Sequence, residues 1–465
     1  MNRINHRLRV LQVLFIALMI ALGSYFVYSV AKYGKQWSHS AYNTRTKSGY
    51  DLVIQGSVYD RNGTEIAWSD APNTRLYSDD EVLRLSMAHI LGDRYGMMSG
   101  ALQDRYANTL FGNERSLLSR FTESVENDLL TGDSIRLTID GEIQKHAYNA
   151  MNGRSGAAVV LNYKTGEVIA SVSLPTFDTL NLTAEDTQNM PDGTFINKVT
   201  RGLYPPGSTF KVITAVSLLE NCDNCDALHF DCLGENIVDG VSVNCFHGTV
   251  HGDLDLNSAF ARSCNGAFAY WAVHDLGVRN ITKTAEAFGF NRNFVFSDYT
   301  INNSTFDAYG GNADLAWSAV GQGQTMVTPM HAAMIVSAIA NNGNMCEPRY
   351  LRGIESVDKG FIETAPKVYA NVMSQETAER ITEMMLGVVE NGTGSGCKIS
   401  GVRICGKTGT AEVADEAPHA WFVGFIDEEE TPYAIAVILE NAGTGSSVAV
   451  PVARSILEKC IEVRP

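Results

Sequence analysis

Tyr204-Pro205-Pro206-Gly207-Ser208-Thr209-Phe210-Lys211-Val212-Ile213-Thr214-Ala215-Val216 is the stretch from which the rest of the chain is read. A Pro-Pro-Gly turn signal runs into an apolar segment of helical character. Ser208 opens that segment and Lys211 follows three residues on, so on a helix the hydroxyl and the amine share a face. A serine hydroxyl is a weak nucleophile unless a base lies within hydrogen-bond reach. A lysine becomes that base when burial and neighbouring charge lower its pKa. A helix opening at Ser208 also aims backbone N–H groups and its positive dipole end at any oxyanion formed there. The pattern predicts a Ser-Lys acyl-transfer site.

Ser-x-x-Lys recurs at Ser29–Lys32 and Ser356–Lys359, in neither case after a Pro-Gly turn. Two downstream motifs single out Ser208: Ser263-Cys264-Asn265, then Gly406-Lys407-Thr408-Gly409-Thr410-Ala411. Each has an echo elsewhere. Ser242-Val243-Asn244 is a second Ser-x-Asn, and Lys164-Thr165-Gly166 a second Lys-Thr-Gly. The latter precedes the serine and sits between two apolar runs, as a hairpin turn does.

The ordered trio at Ser208, Ser263 and Lys407 resembles the signature of penicillin-binding proteins and serine β-lactamases. Gly321-Gln322-Gly323-Gln324, Val327-Thr328-Pro329 and Ala340-Asn341-Asn342-Gly343 resemble the stretch between the second and third motifs of the former. Ala420-Trp421-Phe422-Val423-Gly424-Phe425 resembles the strand after the third motif, and Leu137-Thr138-Ile139-Asp140 with Gln144 the entry to the transpeptidase domain. Gly56-Ser57-Val58-Tyr59-Asp60-Arg61-Asn62-Gly63 resembles the pedestal of the class B, monofunctional members. The resemblance runs from about residue 50 to 460. It implies an α/β (α+β) fold: an antiparallel sheet flanked by helices, a small pedestal and one transmembrane helix.

It also implies roles. Ser208 would form an acyl-enzyme with a D-Ala-D-Ala stem peptide of peptidoglycan, and Lys211 would take its proton. Ser263 would relay a proton to the leaving amine, while Asn265 would hold Lys211 and the substrate amide. Lys407 would attract the terminal carboxylate and favour a neutral Lys211 through like charge. Thr408, Gly409 and Thr410 would bind that carboxylate end. The N–H groups of Ser208 and Thr410 would form the oxyanion hole, each donor contributing about 3 kcal/mol. The acyl group would pass to an amine of a neighbouring stem. β-Lactams would acylate Ser208 as mimics. This chemistry requires no metal or organic cofactor. A membrane glycan polymerase of the elongation or division machinery is the implied partner. The trio alone also fits a β-lactamase, a D,D-carboxypeptidase or a β-lactam sensor. No Glu-x-x-Leu-Asn segment supplies the first with a deacylating base, and nine residues before the anchor leave no room for a sensor's inner domain.

The 465 residues allow two or three domains. Hydrophobic content of 45% is that of a globular protein, and a net charge of −16 argues against nucleic-acid binding. Val10–Ala31 carries no charge, follows Arg3, Arg7 and Arg9, and is closed by Lys32, Tyr33, Lys35 and Trp37. It predicts one membrane-spanning helix with a cytoplasmic N-terminus and an outward-facing remainder, rather than a cleaved signal peptide. Residues 1–9 then form a cytoplasmic tail, 10–31 the anchor, 38–136 a pedestal with some helix in 81–130, and 137–465 the catalytic domain. Expected helices are Gly141–Met151, a run from Ser208, Asp255–Ala272, Pro329–Ala340 and 451–462. Expected strands are Ala157–Leu161, Glu167–Val172, Arg403–Thr410, Trp421–Ile426 and Tyr433–Glu440.

Of nine cysteines, Cys222, Cys225, Cys232 and Cys245 crowd together. In a cytoplasmic setting they suggest zinc, with His247 and His251 as further ligands. Outside a membrane disulfides are favoured, and the family resemblance makes Cys232–Cys245 the leading pair. Cys397 and Cys405 flank the turn before Lys407 and are a second candidate pair. Cys264 reads as a packed thiol.

Overall fold

In the computed structural model the described residues are 2–38, 53–93, 98, 100–126, 129–180, 182–183, 189–238 and 240–463. Helix α1 (Asn2–Ser38) leads the chain. Its Arg9–Ser29 segment, with mean hydropathy 2.3, is long and apolar enough to cross a membrane and overlaps the expected span. Leu11, Phe15 and Phe26 on it are exposed. The side chains of Arg3, Arg7, Tyr33, Lys35 and Trp37, and residues 39–52, lie outside the described set.

Beyond it, β1 (Val58–Tyr59) and β2 (Glu65–Trp68) pair across the Asp60–Gly63 turn. With β3 (Leu76–Tyr77) and β4 (Ser134–Leu137) they belong to a six-stranded sheet. Its other two strands, Leu351–Ser356 and Gly360–Glu363, come from far along the chain. Ser356, in one of the stray Ser-x-x-Lys copies, therefore lies in this sheet, away from the Ser208 motif. Helices Glu81–Leu91, Leu102–Arg105, Ala107–Leu110 and Leu117–Glu126 fill part of 81–130.

The second sheet has five longer strands and is antiparallel. It comprises β5 (Gly156–Asn162), β6 (Val168–Leu174), β7 (Ile404–Ala411), β8 (His419–Ile426) and β9 (Tyr433–Leu439), in the order β7-β8-β9-β5-β6. β5 and β6 flank the Lys164-Thr165-Gly166 turn, as expected. Apolar residues fill both faces because both are covered. Side chains alternate across a strand, so Val159, Leu161, Ala436 and Ile438 enter one core cluster and Val160, Ile435 and Val437 the other.

The second cluster is roofed by α2 (Gly141–Met151) packed on the C-terminal helix α8 (Val450–Glu462). The first holds the buried α3 (Lys211–Asn221), followed by α4 (Leu256–Ala261), α5 (Asn265–Trp271), α6 (Pro329–Ala340) and α7 (Gln375–Asn391). α6 lies on β9 and β5, and α7 on β7 and α3.

Two expectations are corrected. The helix from Ser208 begins as a 3-10 turn, Gly207–Phe210, and becomes α-helical only at Lys211. The single helix Asp255–Ala272 is two, because Ser263 adopts φ +58° between α4 and α5. A left-handed residue cannot continue a right-handed helix. Helix α7 was not expected.

Candidate active site

The Ser208 turn sits against the edge strand β7. A Cβ on Gly409 would fall 2.9 Å from the Pro206 carbonyl oxygen, so that strand approaches the turn only without a side chain there. Gly321, at φ +80°, would place a Cβ 2.0 Å from the Gly207 oxygen; the Gly207 N–H donates to the Gly321 oxygen at 2.8 Å. The Trp421 indole N–H donates to the Pro205 oxygen at 3.1 Å, and the Tyr204 hydroxyl to Glu440 at 2.5 Å. Glycine contacts and aromatic donors thus hold both ends of the turn.

On this frame Lys211 Nζ reaches Ser208 Oγ at 3.1 Å. The same amine donates to the Ser263 carbonyl oxygen at 2.7 Å, Ser263 Oγ at 3.2 Å and Asn265 Oδ1 at 2.6 Å. The left-handed turn at Ser263 brings the oxygens of Ser263 to Lys211. Non-glycine residues in that region carry strain and concentrate at functional sites. Lys407 Nζ approaches from β7 and donates to Ser263 Oγ at 2.9 Å. One hydroxyl therefore stands between two amines, and its two lone pairs and one proton suit it to pass a proton. Thr408 Oγ1 lies 2.6 Å from Thr393 Oγ1, and Thr410 Oγ1 accepts from the Gly445 N–H at 3.3 Å.

Burial lowers the Lys211 pKa from its ordinary 10.5 to about 8. Like-charge repulsion falls instead on Lys407, which burial first and Lys211 second hold well below the usual range. This differs from the expectation that Lys407 depresses Lys211. Desolvation does that work.

The cleft above these groups has a volume of about 540 Å³. Ser208, Ser263, Asn265, Thr408 and Thr410 line one side, and Ser242, Asn244 and the 245–251 loop another. The second Ser-x-Asn thus abuts the first, with Asn265 Nδ2 donating to the Asn244 carbonyl oxygen at 2.8 Å. Motif reading gave no reason to place Asn244 or Thr393 at the site. Arg262 and Glu412 also face the cleft.

The cysteines depart from expectation. Cys232 and Cys245 are unbonded, with Sγ atoms 3.6 Å apart. Cys245 Sγ lies equally 3.6 Å from Cys264 Sγ, and Cys232 Sγ is 3.4 Å from His251 Nδ1. The thiol at 264, read as packing, joins the cluster. Cys222 and Cys225 are outside it; Cys225 donates to the Leu218 oxygen at 3.1 Å. His247 instead packs against Phe246, the two rings tilted by 56°. The hydrogen bond between the two thiols pulls Cys245 down and pushes Cys264 up. Cys397 and Cys405 are also unbonded and enter opposite core clusters.

Residues 156–458 match the family described as "Penicillin binding protein transpeptidase domain". The chain belongs to this penicillin-binding protein family. Among its relatives, the peptidoglycan D,D-transpeptidase PbpA of Mycolicibacterium smegmatis is 30% identical over 355 residues, covering 70% of this chain and 72% of that protein. Penicillin-binding protein A from M. tuberculosis, solved as a ceftriaxone acyl-enzyme complex, superposes with TM-score 0.81 at 26% identity, covering 89% and 99% of the two chains. A D,D-transpeptidase domain from Eggerthella lenta gives TM-score 0.78 at 27% identity, covering 89% and 99%.

Proposed function

We infer that this chain is a peptidoglycan D,D-transpeptidase of the class B type that works through a serine acyl-enzyme and is acylated by β-lactams. The observation that carries the reading is the Lys211 amine, buried, depressed to about 8 and 3.1 Å from Ser208 Oγ at the cleft floor.

In the proposed sequence Ser208 Oγ attacks the carbonyl carbon between the two terminal D-alanines, and its proton passes to Lys211. The N–H groups of Ser208 and Thr410 receive the oxyanion. The carbon–nitrogen bond breaks as Ser263 delivers a proton, drawn from Lys211, to the departing D-alanine amine. An amine of a neighbouring stem then attacks the ester carbon, loses its proton along the same path, and releases Ser208. Asn265 holds Lys211 and the substrate amide. Lys407, with Thr408, Gly409 and Thr410, takes the substrate carboxylate. A carboxylate beside Lys407 restores its positive charge, and that charge favours the free-base form of Lys211 before it takes the Ser208 proton.

The proposed topology has a cytoplasmic N-terminus, an anchor near residues 10–31, a pedestal over 38–136 and a catalytic domain over 137–465 outside the membrane. What supports it is Arg9–Ser29, the one helix among the described residues that is long and apolar enough to cross a membrane. A membrane glycan polymerase of elongation or division is the proposed partner. Such an enzyme supplies the strands that an anchored cross-linker meets.

Labelling with a fluorescent penicillin, followed by peptide mapping, tests the nucleophile. The adduct is expected on the peptide containing Ser208 and absent from Ser208→Ala. Undiminished labelling of that variant would overturn the assignment.

A further inference from the structure

We propose that Glu412 selects the donor stem: its carboxylate binds an ammonium group carried by the residue that precedes the two terminal D-alanines. The proposal rests on the transpeptidase reading above and adds the class of donor that the site takes.

β7 is an edge strand of the five-stranded sheet, and its outer side meets the Ser208 turn and the cleft. An extended peptide in the cleft runs alongside that edge. Side chains of a strand point alternately to its two faces, and Thr408, Thr410 and Glu412 all line the cleft. Thr408 is proposed to take the terminal carboxylate, and the Thr410 N–H the oxyanion. These two points set a direction. The terminal D-alanine lies toward Thr408 and the scissile carbonyl toward Thr410. The rest of the stem therefore leaves along the far end of β7, where Glu412 follows Ala411. A strand rises about 3.3 Å per residue, which puts Glu412 about 7 Å beyond Thr410. An extended stem advances one residue in half that distance, and the two facing side chains span the rest.

The Glu412 carboxylate is available. The residue is exposed, and its side chain has no hydrogen-bond or ion-pair partner among the described residues. Its neighbour Glu416, by contrast, accepts from Asn441 Nδ2. Among the residues that line the cleft Glu412 is the one carboxylate. Arg262, the lining guanidinium, is held to the opposite wall by the His251 carbonyl oxygen at 3.0 Å. Thr444 and Ser446 line the cleft as well, with their hydroxyl oxygens 3.3 Å apart. An ammonium has three N–H donors and no acceptor. One carboxylate with hydroxyl oxygens in the same cleft is a partner set that suits it.

The reaction supplies the cation. Donor and acceptor are stems of one kind, and the acceptor must offer an amine, so each donor carries such an amine too. A free alkyl amine is protonated at neutral pH. Held by a carboxylate it stays protonated, and an ammonium has no lone pair with which to attack the ester on its own strand. The acceptor's amine then attacks without that competitor.

The test uses the full chain in detergent and two penicillins, made by acylating 6-aminopenicillanic acid with Nα-acetyl-lysine. One keeps its ε-amine free and the other has it acetylated. The lysyl group of each stands where the stem residue before the D-alanine pair would lie. Second-order acylation rates are read by competition with a fluorescent penicillin. In the wild type the free amine should be favoured by about fivefold, and the preference should shrink as salt is raised. Glu412→Gln should bring the ratio of the two rates to about one, and Glu412→Lys should invert it. A wild type that is acylated without preference would overturn the proposal, as would a preference that survives in Glu412→Gln. A wild type that no penicillin acylates would instead strike the transpeptidase reading beneath it.

Discussion

The two walls of the cleft are built on different principles. The wall carrying Ser208 is a 3-10 turn clamped between an edge strand and the Gly321 loop, with backbone atoms in direct contact. The opposite wall, residues 232–251, has short strands, side chains such as Leu233 at 71% exposure, and a knot of cysteine and histidine side chains. The comparison teaches where rigidity is needed. The nucleophile and its base must hold hydrogen-bond geometry to act. A wall that shapes the substrate path tolerates a looser frame with a few point fastenings.

The sharpest break in this comparison is Lys211→Ala. Loss of the base should slow penicillin acylation by about 10²–10⁴-fold, read from adduct formation against time. An unchanged rate would remove Lys211 from the mechanism. Next is Gly321→Ala, which drives a methyl group into the Gly207 carbonyl at a backbone angle that disfavours alanine. A loss of about 1–3 kcal/mol or more is expected by denaturant unfolding, together with impaired acylation; wild-type behaviour would show that the turn is not clamped as described.

The pH dependence sharpens the account on the Ser208 side. Lys211 acts as its free base, and its pKa lies near 8. The neutral fraction therefore climbs from about a tenth at pH 7 to about nine tenths at pH 9. Acylation should rise about tenfold across that interval and then level off. Stability follows the same sign: the unfolded lysine keeps its proton up to about 10.5, so the folded state binds fewer protons between about 8 and 10.5 and gains stability as pH rises through that window. An acylation rate that is flat from pH 7 to 9 would contradict the assignment. The smallest effect belongs to the other wall. Leu233→Ser should change global stability by less than about 0.5 kcal/mol, since little is buried there.

Legibility in the sequence follows the same division. Contiguous motifs with local geometry could be read: the Ser208–Lys211 spacing, the helices Gly141–Met151 and Pro329–Ala340, and the apolar runs of β5 and β9. The break at Ser263 could not, because a single left-handed serine leaves the apolar helical pattern on both sides intact. The membership of Cys264 in the thiol cluster was hidden for a similar reason. It depends on folding the 232–251 hairpin back onto α5, whereas sequence proximity pointed to Cys222 and Cys225. Helix α7 did carry a signal. Ser374 caps it, and Ala378, Ile381, Met384, Met385 and Val388 repeat at helical spacing toward the core. That Leu351–Ser356 and Gly360–Glu363 join the N-terminal sheet has no local signature, because strand partners far apart in the chain are chosen by the assembled fold.

The central claim is that the acyl group on Ser208 passes to an amine. No acidic residue lies within the three motifs to activate water, so a penicillin adduct should persist for minutes or longer. The most direct measurement supplies nascent glycan strands and a partner polymerase to the full chain, and separates the muropeptides after digestion. Dimeric stem peptides, formed by the wild type and absent with Ser208→Ala, are the predicted result. Release of D-alanine with only trimmed monomers, under conditions where a known transpeptidase makes dimers, would contradict it.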